Sequence, residues 1–125
     1  MTPETAIQAA IDQIAFDDRG LVPAVAQDVE SGEVLMLAWM NADSVRASLA
    51  EGRAVYWSRS HKALWRKGET SGHTQALEAL RIDCDSDAIL LRVRQTGAAC
   101  HTGRPNCFFT EVRDDGLVVI SEPIA

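Results

Sequence analysis

The sequence predicts a single α+β domain, rich in antiparallel strands and carrying a few short helices. Three observations carry that expectation. Short apolar runs of strand length recur at 22–29, 34–40, 75–83 and 88–95, separated by Gly, Asp and Ser turns. Helical spacing is confined to two segments, one near the start of the chain and one near 41–51. At 125 residues the chain has the size of one domain, which buries roughly two-thirds of its unfolded surface.

Taken in order, Thr2-Pro3-Glu4 reads as a helix start, with Thr2 as N-cap and Pro3 at the first helical position. Ile7, Ile11 and Ile14 then share one face, and Gly20 follows the end. Residues 22–29 and 34–40 read as two strands joined through Glu30-Ser31-Gly32-Glu33, a hairpin signal. Asn41 is placed to cap a short helix through Val45 and Leu49, closed by Gly52. A strand resumes at 54–60 with Tyr56 and Trp57, after which periodicity is lost. Residues 75–83 and 88–95 form the next pair of strands, with Leu77, Leu80, Ile89, Leu90, Leu91 and Val93 as core side chains. Thr96-Gly97 breaks the pattern and leads into a loop through Cys107. A last hairpin, strands 108–112 and 117–121, turns at Asp114-Asp115-Gly116.

Composition excludes several classes. Hydrophobic residues make up 46% and charged residues 24% of the chain, ordinary values for a globular protein. The apolar run at 34–40 is too short to span a membrane. Met-Thr-Pro-Glu-Thr lacks the features of a secretory leader, so a cytoplasmic location is expected. A formal charge of −6 argues against nucleic-acid binding, which needs a basic face. An odd number of cysteines, three, argues for metal or catalysis rather than disulfides.

The chemistry concentrates in Asp83-Cys84-Asp85-Ser86-Asp87, Cys100-His101 and Cys107. Three carboxylates this close repel one another, and a hard cation such as Mg²⁺ relieves that repulsion through oxygen ligands. Thiolates prefer a softer ion, and three of them leave one position of a zinc tetrahedron open. If 82–87 is extended, Asp83, Asp85 and Asp87 point one way and Cys84 the other. Cys84 then needs Cys100 and Cys107 as partners, in the same chain or in a neighbouring copy. The competing reading is an Asp-rich hairpin turn plus three ordinary cysteines. A second stretch, 56–73, interleaves Lys, Arg, Ser and Thr with Gly68 and Gly72, suiting close approach to a phosphate, although it is not a P-loop. A solvated surface loop explains the same composition.

Tyr56-Trp57-Ser58-Arg59-Ser60, the run from Leu64-Trp65-Arg66-Lys67-Gly68-Glu69-Thr70 to Ser71-Gly72-His73, the Asp83–Asp87 motif, and Cys100-His101-Thr102-Gly103 with Cys107 together resemble the phosphoribosyl-AMP cyclohydrolase family. That family opens the adenine ring of phosphoribosyl-AMP in histidine biosynthesis. The resemblance implies one such domain over 1–125, without the pyrophosphohydrolase domain that some members carry fused. It implies an intertwined homodimer with one zinc and one Mg²⁺ per subunit. Zinc would be held by Cys84 of one subunit and Cys100 with Cys107 of its mate, and Mg²⁺ by Asp83, Asp85 and Asp87. His61 departs from the basic residue expected at its position and receives no role.

The expected reaction is attack of water on C6 of the purine and breakage of the N1–C6 bond. The product is the phosphoribosylformimino-aminoimidazole carboxamide ribotide. His101, beside Cys100, is the candidate to accept a proton from that water, and its competing role is a fourth ligand closing a structural Cys₃His site. Arg59, Arg66, Lys67, Thr70 and Ser71 are the candidates to receive the two phosphates, and His73 to orient substrate or cap its loop. A zinc deaminase is not expected, because its His-x-Glu and Pro-Cys-x-x-Cys pattern is missing.

Overall fold

The computed structural model describes residues 2–125 and has two helices and eight strands. Helix α1 spans Glu4–Gln13 and α2 spans Ala42–Glu51. The strands are β1 Val22–Asp28, β2 Val34–Met40, β3 Val55–Ser58, β4 Ala63–Arg66, β5 Gln75–Ile82, β6 Ile89–Gln95, β7 Thr110–Arg113 and β8 Gly116–Val119.

Four strands form the main sheet in the order β2-β1-β6-β5. Each pairing is antiparallel except the central one, where β1 runs parallel to β6 and Ala24 faces Ile89. Alternation decides which face is buried. Val22, Ala24 and Ala26 of β1 and Ile89, Leu91 and Val93 of β6 turn inward, where Ile7, Ile14, Val45 and Leu49 cover them. The intervening Val25 and Leu90 lie half-buried on the opposite face, so Leu90 is not the core residue its apolar run suggested.

Local chemistry sets most element ends. Asn41 accepts from the Ser44 amide at 2.8 Å while the Asn41 amide donates to Ser44 Oγ at 2.8 Å, a reciprocal cap. Gly52, at φ +72°, closes α2 in the left-handed conformation. Asp28 turns β1 into β2 by accepting from the amides of Glu30 and Ser31 at 3.2 and 2.9 Å. Helix α1 departs from expectation at both ends. Pro3 occupies the N-cap in extended geometry, and no side chain caps the first turn. The helix stops at Gln13, because Ile14 turns extended and the next amide, Ala15, donates to Ser86.

The largest departure lies at 63–66, read as part of a loop from sequence. It forms β4, antiparallel to β3, with Tyr56 opposite Trp65 and their ring centroids 5.5 Å apart. That aromatic cross-strand pair stabilises a short hairpin whose polar tip hides the period-two pattern. Ser48 ties the hairpin to α2, accepting from the Val55 amide at 2.9 Å and donating to its carbonyl at 3.1 Å. The final hairpin, β7–β8, bonds to no other strand and leaves Val112 80% and Leu117 72% exposed. Among the described residues no helix is long and apolar enough to cross a membrane.

The reciprocal cap is open to test. Asn41→Ala should cost about 1 kcal/mol, the usual loss for an N-cap acceptor, read as a lower urea midpoint with an unchanged slope. An unchanged midpoint would refute the cap's contribution.

Candidate active site

A cavity of about 550 Å³ opens between the segment after β4 and the loop after β6. Arg66, Lys67, Thr70, Ser71 and His73 line one wall, and Cys100, His101, Thr102 and Gly103 the other. Five of the six residues expected to meet substrate, together with His101, are therefore gathered in one place. Arg59 is the exception. It lies in an adjoining cleft with Trp57, its guanidinium 4.9 Å from the Trp39 ring centre.

Gly68 makes the first wall possible. At φ +78° it sits so close to the chain that a Cβ there would lie 2.4 Å from the His73 carbonyl carbon. The Gly72 amide donates to the Gly68 carbonyl at 2.8 Å, folding 68–72 into a compact turn. The two basic side chains of this wall are already engaged. Arg66 grips Glu51 through a fork of 2.9 and 2.8 Å, and this pairing lowers the Glu51 pKa. Lys67 is buried, and its ammonium donates to the Ala99 carbonyl at 2.6 Å. Burial pushes the Lys67 pKa down, while Cys107 and Cys100 oppose that shift. Lys67 thus faces the thiols rather than the open mouth.

The second wall is a folded loop. Ala99 and Cys100 donate to the carbonyls of Pro105 and Arg104 at 3.4 and 3.2 Å, and the Cys107 amide is anchored on the Leu35 carbonyl at 2.8 Å. This brings two thiols into contact. Burial resists ionisation of Cys100, but the Thr102 hydroxyl, donating to its sulfur at 3.1 Å, the Thr102 amide and the Cys107 thiol outweigh it and lower the pKa. Cys107 is exposed as a residue, but desolvation around its sulfur, then the neighbouring Cys100 charge, pushes its thiol up to about 11. Two adjacent sulfurs, one of them made easier to ionise, suit a soft divalent cation.

Cys84 lies elsewhere. Strand β5 ends at Ile82, and Ser86, at φ +63°, turns the chain back into β6, so the extended alternation expected for 82–87 does not occur. The Asp83 carboxylate prevents it by accepting from the amides of Asp87 and Ala88 at 2.9 and 3.2 Å, as a turn-forming aspartate does. The carboxylates nonetheless lie near one another, with Asp83 and then Asp85 close enough to raise the Asp87 pKa. Helix α1 steadies the turn, with Gln13 donating to Ser86 Oγ and the Ala15 amide to the Ser86 carbonyl, both at 2.7 Å. In the β5–β6 register this turn joins Ile82 to Ile89, while the cavity lies beyond the opposite end, at Gln75 and Gln95. Seven residue steps of strand separate the ends by about 20 Å. Among the described residues no three His, Cys, Asp or Glu side chains converge as a metal-binding group.

Sequence reasoning missed the inward turn of Lys67 and the structural part played by Gln75, which is fully buried behind the cavity. The pairing of Tyr56-Trp57 with Leu64-Trp65 was the signal available for β4, and with it for the position of Lys67 at the strand's end.

Comparison with known proteins adds an independent finding. Residues 36–109 match the family model described as phosphoribosyl-AMP cyclohydrolase. The chain is 60% identical over 116 residues to the phosphoribosyl-AMP cyclohydrolase of Rhodospirillum centenum, covering 93% of this chain and 87% of that protein. It is 56% identical over 119 residues to phosphoribosyl-AMP cyclohydrolase 2 of Pseudomonas fluorescens, covering 95% and 81%. Against the protein of that name from Bordetella petrii it is 62% identical over 97 residues, covering 77% and 72%.

The Asp83–Asp87 contact carries a pH signature. A hydrogen bond to Asp83, which Asp87 donates only when protonated, and then repulsion from Asp83 and Asp85, raise the Asp87 pKa on folding. The folded chain then holds more proton than the unfolded chain, so this contribution to stability is lost as pH rises above about 4. In chelator-treated protein at low salt, Asp87→Asn should have a higher urea midpoint than the parent at pH 7 and the same midpoint at about pH 3. A lower midpoint at pH 7 would refute the repulsion.

Proposed function

The chain belongs to the phosphoribosyl-AMP cyclohydrolase family, hydrolases of histidine biosynthesis, and from that premise we propose that its cavity hydrolyses the N1–C6 bond of phosphoribosyl-AMP with zinc and Mg²⁺ bound. The observation that carries this reading is Cys100 and His101 facing a polar turn across one cavity, with the Cys107 thiol next to that of Cys100. Zinc held there would supply Lewis-acid activation of a water molecule for attack on C6.

The chain's own residues do the rest. His101 accepts the proton of the attacking water and returns it to N1 as the N1–C6 bond breaks. The amides of the Gly68–Gly72 turn, with the hydroxyls of Thr70 and Ser71, receive phosphate. Arg66 joins them by exchanging its Glu51 partner for the more highly charged anion, and Arg59 reaches in from the adjoining cleft. His73 holds the substrate in register. Lys67 provides positive charge beside the Cys100 and Cys107 thiols, which favours the ionised form in which they would hold zinc. Asp83, Asp85 and Asp87 would be the residues to hold Mg²⁺, whose charge would offset their mutual repulsion once their side chains, not converged as a ligand set here, drew together.

Cys84 completes the zinc site from a second copy of the chain. Its own Cys100 and Cys107 lie a strand length away, and exposed Val112, Leu117, Val119 and Ile124 offer apolar surface for a partner to cover. A two-stranded hairpin such as β7–β8 is marginal in water unless something packs on it. The reading is therefore a homodimer with two shared sites, working in the cytoplasm.

Two measurements test this. Purified protein should open the ring of phosphoribosyl-AMP, followed by absorbance, without releasing ammonia, and should contain about one zinc per chain. Ammonia release, or full activity in zinc-free protein, would overturn the assignment. Cys84→Ser and Cys107→Ser should each be inactive, yet refolding them together should recover about a quarter of parental activity. Half the dimers are then mixed, and one of the two sites in each is whole. Mixing that restores nothing would reject the shared site.

A further inference from the structure

We propose that an uncharged hydrogen-bond chain running out of the core, Tyr56–Gln75–Gln95, is the device that positions His73 on the substrate; this rests on the cavity being the substrate site. The chain starts in the core. Tyr56 and Gln75 are both fully buried, and the Tyr56 hydroxyl donates to Gln75 Oε1 at 2.7 Å. Gln75 Nε2 donates to Gln95 Oε1 at 2.9 Å and to Met36 Sδ at 3.4 Å. Gln95 Nε2 then donates to the carbonyls of Thr96 and His73 at 3.1 and 3.4 Å. Both amide oxygens accept and both amide nitrogens use two protons, so each side chain has one orientation that satisfies it. The Tyr56 hydroxyl and one proton of each amide run from the core toward the cavity wall, while the second Gln75 proton turns back to Met36 in the core.

A buried glutamine is an expensive choice for packing alone, since burying an amide costs about 1–3 kcal/mol unless it is fully bonded. Its location explains the choice. Gln75 and Gln95 sit opposite one another at the cavity end of β5 and β6, and His73 is two residues before Gln75. The His73 ring is held from the other side by Gly97, where a Cβ would lie 2.6 Å from His73 Cδ2. Its main chain is held by Gly68. Backbone and ring are thus confined on three sides, by Gly68, which is buried, by Gln95, which is half-buried, and by Gly97, which is exposed. At the far end, Tyr56 packs on Trp65, itself part of the cavity lining. The relay spans from the aromatic floor of the cavity to the one imidazole on its basic wall.

A double-mutant cycle separates positioning from plain stability. Gln95→Leu should lower kcat/KM by about tenfold and His73→Asn by about 10–100-fold, with zinc content unchanged in both. If Gln95 acts through His73, the double variant should be no worse than His73→Asn to within about twofold. Losses that multiply would overturn the proposal, because the relay would then act only on the fold. Tyr56→Phe keeps the ring and removes only the far donor, so it replaces Gln95→Leu if the latter fails to fold. It should lose less, and that loss should also vanish in the His73→Asn background. The His73 ring resonances in an NMR spectrum should move in both relay variants, and an unmoved ring would overturn the proposal without any assay. If His73→Asn is fully active while His101→Asn is not, the role given to His73 falls. If both are fully active, the cavity itself was misassigned.

Discussion

The cavity depends on one short contact, the Lys67 ammonium on the Ala99 carbonyl at 2.6 Å. Lys67 follows β4 directly and Ala99 begins the folded loop after β6, so this bond clasps the two walls together. Burying an ammonium costs several kcal/mol unless something compensates. Here the compensation comes from the carbonyl, from the Trp65 ring 5.3 Å away, and from two thiols able to carry negative charge. Among the described residues no carboxylate pairs with Lys67, and the nearby Glu51 is taken by Arg66. The position of the walls and the charge on the sulfurs are therefore one problem with one solution. A chain that lost the cation would lose the clasp as well.

Most of the framework was legible because its signals are local. Asn41 with Gly52 marks α2, and turn residues mark the ends of β1, β2, β5 and β6 within a residue or two. The gathering of Arg66, Thr70, Ser71, His73 and His101 was legible only through the resemblance, since nothing in their spacing brings residue 70 to residue 101. What failed to show were features decided by tertiary contacts. Lys67 reads as a surface cation in a basic run, and only the position of Ala99 turns it inward. Asp83 reads as part of an alternating strand, yet its own carboxylate captures two amides and forces the turn. The separation of Cys84 from the other thiols follows from the β5–β6 register, which no single strand encodes.

That register gives the paired strands a second use as a spacer. The aspartate turn occupies one end and the cavity the other, with rigid sheet between them. Under the proposed sharing of zinc, the strand length sets how far two copies must overlap for Cys84 of one to reach the thiols of the other. The apolar hairpin β7–β8 and the half-buried face around Val25 and Leu90 are the surfaces available for that overlap. Assembly and catalysis would then be selected together.

The parallel pairing at the centre of the sheet has a consequence for biosynthesis of the chain. β1 and β2 emerge early from the ribosome and can close as a hairpin by themselves. The other edge of β1 must wait for β6, because Ala24 pairs with Ile89. Until then an apolar strand containing Val22, Ala24, Val25 and Ala26 presents unpaired amides and carbonyls to any other extended segment nearby. Pairings so distant along the chain are slow to form, and such open edges recruit neighbouring nascent chains. The interval between translating residue 28 and residue 89 is thus the window in which that edge is most open to mispairing.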